Sequence, residues 1–520
     1  MKRKLLAGAA LAAAGSVLLA APAFAQEAPS VDEVKTAVDV LTTNVNLLWV
    51  VIGAAMVIFM QAGFALVETG FCRAKHAAHV VSTNFAIFGL GFVAYFFVGY
   101  ALMFGGYTSS LIGYTTATGE ALIGSGNWTF LWQGGWALSG DTGRAYTPAV
   151  MAFFLYMAAF MDTTATIPTG SMAERWKWKS FMVWAVFCGA LYYPIFGAWT
   201  WGGGWLASLG KSMNLGFGYA DFAGSGVVHA MGGVAALAGC YVLGPRLGKF
   251  GKDGRPRALP GHHIPMAMLG TFILLFGWFG FNAGSTLAVN DPRFAVVATN
   301  TAIAGAFGAV VSILWITKRT GKPDPGMMAN GMLAGLVAIT APCAFVQPWA
   351  AAAIGSIAGV LVIESVFFVE RRLKLDDPVG AFSVHGVNGL WGVLAVGIFA
   401  DGQYGQGWNA MLDADGNPVS LGGRGVTGVL YGGHGWGQLA AQLVGALTIF
   451  VVMGAVAFAF FSVQNRLTKG GIRSDEEDEL VGLDLPEMGV QAYPEFVGAL
   501  GGTASSSGAG LPSRQSVLQD

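Results

Sequence analysis

The sequence predicts an all-α polytopic membrane protein of eleven spanning helices. They form two inverted five-helix repeats plus a C-terminal helix, with the N-terminus outside and the C-terminus inside. Three observations lead there. Of 520 residues, 54% are hydrophobic and only 11% charged, against about 25% charged in soluble domains. Apolar stretches long enough to cross a hydrocarbon core, about twenty residues each, recur along the whole chain. Finally, DFAGSGVVHAMGG from Asp221 and DPVGAFSVHGVNG from Asp377 align without gaps, sharing Asp221/Asp377, Gly224/Gly380, Val228/Val384, His229/His385 and Gly233/Gly389. The net charge of −1 excludes a global field suited to nucleic acid. The four cysteines lie in or beside apolar segments and imply no disulfide framework.

The chain opens with MKRK, an apolar run from Leu5 to Ala21 and Ala23-Phe24-Ala25. That is the layout of a secretory signal peptide, 1–25, cleaved before Gln26. A short extracytoplasmic segment, 26–46, precedes a transmembrane domain expected over 47–465. Its spans are expected at about 47–69, 82–104, 148–171, 181–199, 222–243, 265–285, 294–317, 326–341, 348–369, 382–400 and 436–461. The eighth is short. The segment between the second and third spans carries NWTFLWQGGW, aromatic residues suited to the membrane interface. With this layout 19 Lys and Arg residues fall in inner loops and 5 in outer ones, as the positive-inside rule requires. Residues 466–520 form a cytoplasmic acidic tail (RSDEEDELVGLDLPEM) whose Ser/Gly-rich end, from Gly501, is expected to be disordered.

The topology gives the paired motif its meaning. The fifth helix enters from outside at Asp221 and the tenth from inside at Asp377, and each histidine follows its Asp by eight residues. Eight helical residues rise about 12 Å, near half of a roughly 30 Å core, so both imidazoles arrive close to the midplane from opposite faces. A lone histidine in an apolar helix is usually a packing residue, but two in repeat-related positions point to a site. Zinc needs three or four ligands, and none is placed to join them. Asp221 and Asp377 stand where their helices begin and can cap free N–H groups. FGWFGFNAGS ends the sixth helix with Phe281 and Ser285, and WTWGGGW ends the fourth on the same face.

FMQAGFALVETGFCRAK (59–75), SMAERWKWKS (171–180), WGGG (201–204), DFAGSGVVH, FGFNAGS and DDPVGAFSVHG together resemble the ammonium transporter (Amt) family of the Amt/Rh superfamily, over nearly the whole mature chain. The resemblance implies a homotrimer in the bacterial inner membrane, each protomer with its own pore for ammonium or methylammonium. It implies no cofactor, no enzymatic activity and no nucleic acid, and a PII-type signalling protein as partner at the cytoplasmic face. By position, the family's twin pore histidines fall on His229 and His385. Its outer cation-binding residues fall on Trp201, Phe160 and Ser285, its stacked gate on Phe160 and Phe281, and its supporting acid on Asp221, to which Asp377 is the repeat counterpart. Ammonium would be recruited at the aromatic/Ser site, lose a proton near the gate and cross as ammonia. Three departures stand out: about eight extra residues between Trp201 and Asp221, Asn388 three residues after His385, and Asp162 two residues after Phe160. Asp162 is open to two readings, an interhelical polar contact or a part in cation handling. Two other functions compete: an ammonium sensor signalling through the tail, which lacks a recognisable signalling domain, and an intramembrane acid–base enzyme, which lacks a nucleophile.

The charge asymmetry makes a direct prediction. A cysteine in the Arg255→Cys variant should react with an impermeant maleimide only after the membrane is opened; labelling in intact cells would overturn the topology.

Overall fold

The computed structural model describes residues 29–139 and 146–496. The expected signal peptide and the Ser/Gly-rich end lie outside the described residues. The described residues divide into two units, one up to Val45 and one from Asn46 onward, and the site belongs to the second.

The first helix, α1 (Val31–Phe71), begins well ahead of the expected 47. Its start is a capping box: the Ser30 hydroxyl accepts from Glu33 N at 3.2 Å while the Glu33 carboxylate accepts from Ser30 N at 2.7 Å. That S-x-x-E signature precedes the hydrophobic run and lies where a search for apolar stretches does not look. The later helices are α2 (Ala74–Phe104), α3 (Pro148–Met172), α4 (Trp178–Trp199), α5 (Ser225–Leu243), α6 (Ile264–Thr286), α7 (Arg293–Thr320), α8 (Pro325–Ile339), α9 (Pro348–Leu373), α10 (Phe382–Phe399) and α11 (Gly435–Leu467). Among the described residues ten of these are long and apolar enough to cross a membrane; α8, with 15 residues, falls short of that length. It starts on an Asp324 cap, whose carboxylate accepts from Gly326 N at 2.8 Å and Met327 N at 3.2 Å. Small residues let it lie backbone-close to α7: a Cβ on Gly308 would stand 2.3 Å from the Gly331 carbonyl. The segment between α2 and α3 includes a two-stranded antiparallel ribbon, β1 (Glu120–Ile123) with β2 (Leu131–Gln133).

One end of the bundle is held by buried charge. Glu174, at φ +72° just past α3, is fully buried. It accepts from Arg73 N (2.9 Å) and Arg246 Nη1 (2.8 Å). Arg246 also forks onto Asp376, Nε to Oδ2 at 2.8 Å and Nη2 to Oδ1 at 3.0 Å, joining the loops after α1, α3, α5 and α9. Burial works against charge on Glu174, but Arg246 foremost keeps its carboxyl below the usual range. Arg175 and Arg246 likewise overcome burial and hold Asp376 well below its usual range.

The acidic segment after α11 docks on this same end, where the sequence suggested a plain polar tail. Two short helices, α12 (Glu476–Val481) and α13 (Asp484–Met488), each turn one acid inward, Glu479 and Asp484. Glu479 accepts from Leu247 N and Arg473 Nη2, both at 2.6 Å, and Asp484 accepts from His79 N at 2.9 Å. Burial is tolerated because each carboxylate meets donors, an arrangement that composition cannot reveal.

Removing one member of the ion cluster strands the others. Arg246→Ala should cost about 3–5 kcal/mol, read as a lowered melting temperature of the detergent-solubilised protein. An unchanged melt would show that the cluster contributes nothing.

Candidate functional site

The shared D-x2-G-x4-H pattern folds twice into one local structure. Asp221 accepts from the N–H groups of Gly224, Gly226 and Val227, each at 2.9 Å. Asp377 accepts from Gly380 (3.1 Å), Ala381 (3.0 Å) and Phe382 (2.8 Å). The glycine three residues on takes a left-handed conformation in both, φ +109° at Gly224 and +78° at Gly380, which a side chain would strain. Each helix then opens on a widened π turn, Ser225–Ala230 and Phe382–Val387, with the histidine inside it. Such turns recur at functional sites because they displace a side chain from regular helical spacing. Asn388 serves the second turn, donating through Nδ2 to the Ser383 carbonyl at 2.8 Å.

The two helices cross where they carry almost no side chain. A Cβ on Gly233 would lie 2.1 Å from Gly386 N, and one on Gly389 would lie 2.7 Å from Ala230 N. These contacts are symmetry mates, since 389 and 233 stand in the same relation as 386 and 230. At this crossing His229 Nδ1 and His385 Nδ1 approach to 3.2 Å, so one ring must donate and the other accept. Both rings are buried, at 0% and 5% exposure.

Aromatic rings lead from this pair to the surface. His229 lies against Trp278 (ring centres 5.1 Å apart) and Phe281 (5.3 Å). Phe281 stacks on Phe160 at 4.0 Å and 20°, and Trp201 meets Phe160 edge-on at 5.8 Å. Above the stacked rings a vestibule of about 430 Å³ opens, lined by Phe160, Trp201 and Ser285 together with Tyr107, Phe222 and Trp408. Trp201 is placed by its indole N–H, which donates to the Asp221 carbonyl at 2.8 Å. Ser285 donates to the Phe281 carbonyl at 2.7 Å and stands 3.1 Å from the Tyr156 hydroxyl. Arg293 also lines the vestibule, with its charge paired to Asp291 at 2.9 Å.

The structure thus brings Trp201, Phe160, Ser285, Phe281, His229 and His385 into one path. Asp221 and Asp377 lie beside it, with their carboxylates committed to backbone N–H groups. Asp162 is fully buried, and neither of its oxygens has a partner among the described residues. Sequence reasoning missed Tyr156, one turn before Phe160, and Trp278, which reads as an interface anchor. It also missed Phe64, whose ring centre is 6.1 Å from that of His385.

A bundle of spanning helices with an aromatic vestibule, closed by two stacked rings above a pair of imidazoles, defines a membrane transport protein for a small solute. The chain belongs to the Ammonium Transporter Family, whose model matches residues 48–493. It is 46% identical over 427 residues to ammonium transporter Amt2 of Archaeoglobus fulgidus, covering 82% of this chain and 83% of that one. It is 36% identical to ammonium transporter Amt1 of Haloferax mediterranei, over 82% and 75% of the two chains. Among solved structures it is similar to a sensor Amt protein (TM-score 0.72, 33% identity, 86% of this chain and 99% of that one). It also resembles Mep2 of Candida albicans (TM-score 0.68, 28% identity, 86% and 91%).

The crossing supplies a test. Gly233→Ala should push α5 off α10, destabilise the protein by about 1–3 kcal/mol and lower methylammonium uptake. Gly89→Ala, where a Cβ meets nothing within 4 Å, should change neither. Equal behaviour of the two variants would show that the close crossing is dispensable.

Proposed function

We propose that this protein carries ammonium nitrogen across a bacterial inner membrane, recruiting ammonium at the vestibule and conducting ammonia past the histidine pair. The observation that supports this most is the continuous order of groups: Trp201 and Ser285, then the stacked Phe160 and Phe281, then His229 against His385.

Each group has a physical part. The faces of Trp201 and Phe160 attract a cation, a contact that contributes about 0.5–2 kcal/mol, but they do not tell ammonium from potassium. Ser285 does. Its proton is given to the Phe281 carbonyl, so its oxygen is left to accept a hydrogen bond, which ammonium can donate and potassium cannot. Below the vestibule the path is closed by two buried phenyl rings, and a bare cation there is costly. The proton is therefore left on the vestibule side with water, and ammonia passes the gate. His229 spends Nδ1 on His385 and has a buried Nε2 with no partner among the described residues, which suits it to hold ammonia by a hydrogen bond.

The vestibule face is taken as extracytoplasmic and the tail face as cytoplasmic, in keeping with the distribution of Lys and Arg. Eleven crossings, a homotrimer and a PII-type partner at the tail face complete the reading and rest on family membership. A sensor is the second reading, favoured by the likeness to a sensor Amt protein and by a tail seated on the loop after α1, with Lys75 Nζ donating to the Glu479 carbonyl at 2.8 Å.

Radiolabelled methylammonium uptake into liposomes holding only this protein separates transport from sensing. His229→Leu and His385→Leu should each abolish it while ammonium still binds at the vestibule. Wild-type uptake and wild-type ammonium-to-potassium selectivity in both variants would defeat the histidine mechanism.

A further inference from the structure

The histidine motif is not the only element present twice in opposite senses. Gly63-Phe64 on α1 and Gly280-Phe281 on α6 are each followed, four residues after the Phe, by a polar side chain: Glu68 and Ser285. The geometry keeps this correspondence. Phe281 lies against His229 and Phe64 lies by His385, and the two helices pack through these same glycines, Gly63 on Gly270 and Gly280 on Gly53. Glu68 therefore holds, on the tail side of the histidine pair, the place that Ser285 holds on the vestibule side.

The surroundings of Glu68 suit a working group. It is 3% exposed. Its carboxylate accepts from Asn84 Nδ2 at 2.8 Å and from the Thr169 hydroxyl at 2.8 and 2.9 Å, and no Lys or Arg pairs with it among the described residues. A cavity of about 20 Å³ separates it from His385, walled by Phe64, Leu274, Asn330 and Val384. That is room for one molecule the size of water, hence also for one ammonia. The titratable groups nearby are His385 across the cavity, Cys72 one turn further along the chain, and Asp377, already held by three N–H groups.

We propose that Glu68 is the proton site of the tail-side half of the pore, a reading that rests on the transport function above. Ammonia leaving His385 enters the cavity and takes the proton of the Glu68 carboxyl. The O–H bond breaks with its electron pair left on oxygen, an N–H bond forms, and the ammonium exits from beside a carboxylate that offsets its charge. Water on the tail side then returns a proton to Glu68. In the reverse direction the same carboxylate accepts the proton from entering ammonium.

The test uses methylammonium uptake by the full-length protein in vesicles of one orientation, with the pH on the tail side varied. Glu68→Gln keeps an oxygen for Thr169 but has no proton to give. It should be at least about tenfold slower, below the 10²–10⁴ typical of acid–base groups, and its rate should not follow tail-side pH, whereas the wild-type rate does. Glu68→Asp should recover part of both. Melting temperatures equal to wild type show that each variant is folded. A Gln variant with wild-type rate and pH profile overturns the proposal, as does one that is slow but keeps the wild-type profile, since that marks a spacing role. If His385→Leu is inactive while Glu68→Gln behaves as wild type, the transport reading stands and Glu68 alone is excluded. If the wild type carries no methylammonium, both fall.

Discussion

Two imidazoles can touch inside this bundle only because α5 and α10 cross with backbone against backbone. Gly233 lies on Gly386 and Gly389 lies on Ala230; a side chain at either glycine would separate the helices by more than a hydrogen bond can span. Much else answers to that crossing. The Asp caps and left-handed glycines start each helix at the depth that delivers its histidine, and the widened turns aim the rings at each other. Trp278 and Phe281 from α6 cover His229, and Phe64 from α1 lies by His385. Because the crossing is a pseudo-two-fold relation, its flanks come in pairs as well, so Phe281 beside His229 has its counterpart in Phe64 beside His385.

Charge is distributed by the same logic of solvation. Around the histidine pair the walls are apolar, and the two Nδ1 atoms meet each other while His229 Nε2 stays without a partner among the described residues. At the tail face, ionised groups are buried but never alone: Glu174 meets Arg73 and Arg246, Arg246 also holds Asp376, and Glu479 meets Arg473. Buried charge of this kind adds little net stability but penalises any arrangement that breaks it, which suits a cluster that joins four loops and seats the tail. Asp162 breaks the pattern, as a carboxyl with no partner among the described residues, pressed near Gly91 on the neighbouring helix.

By itself the sequence determined the helical membrane fold, the places of most spans and the pairing of the two histidine elements, because these follow from hydropathy, helical rise and an ungapped repeat. All are local or periodic properties. Tertiary structure decided the rest. The start of α1, by contrast, is a capping box written locally in Ser30 and Glu33, whereas the close approach of α8 to α7 at Gly331 and Gly308 exists only in the packed bundle. The acidic tail docks because the backbone N–H groups of Leu247 and His79, far away in the chain, meet its Glu479 and Asp484 carboxylates. Trp201 is anchored by a hydrogen bond to the Asp221 carbonyl, twenty residues away in the chain. Glu68 was in plain view as an ionisable residue in an apolar span, yet its relation to Ser285 and His385 exists only once α1 and α6 are packed in opposite senses. Which groups share a cavity is a property of packing, and packing is not written at any single position of the chain.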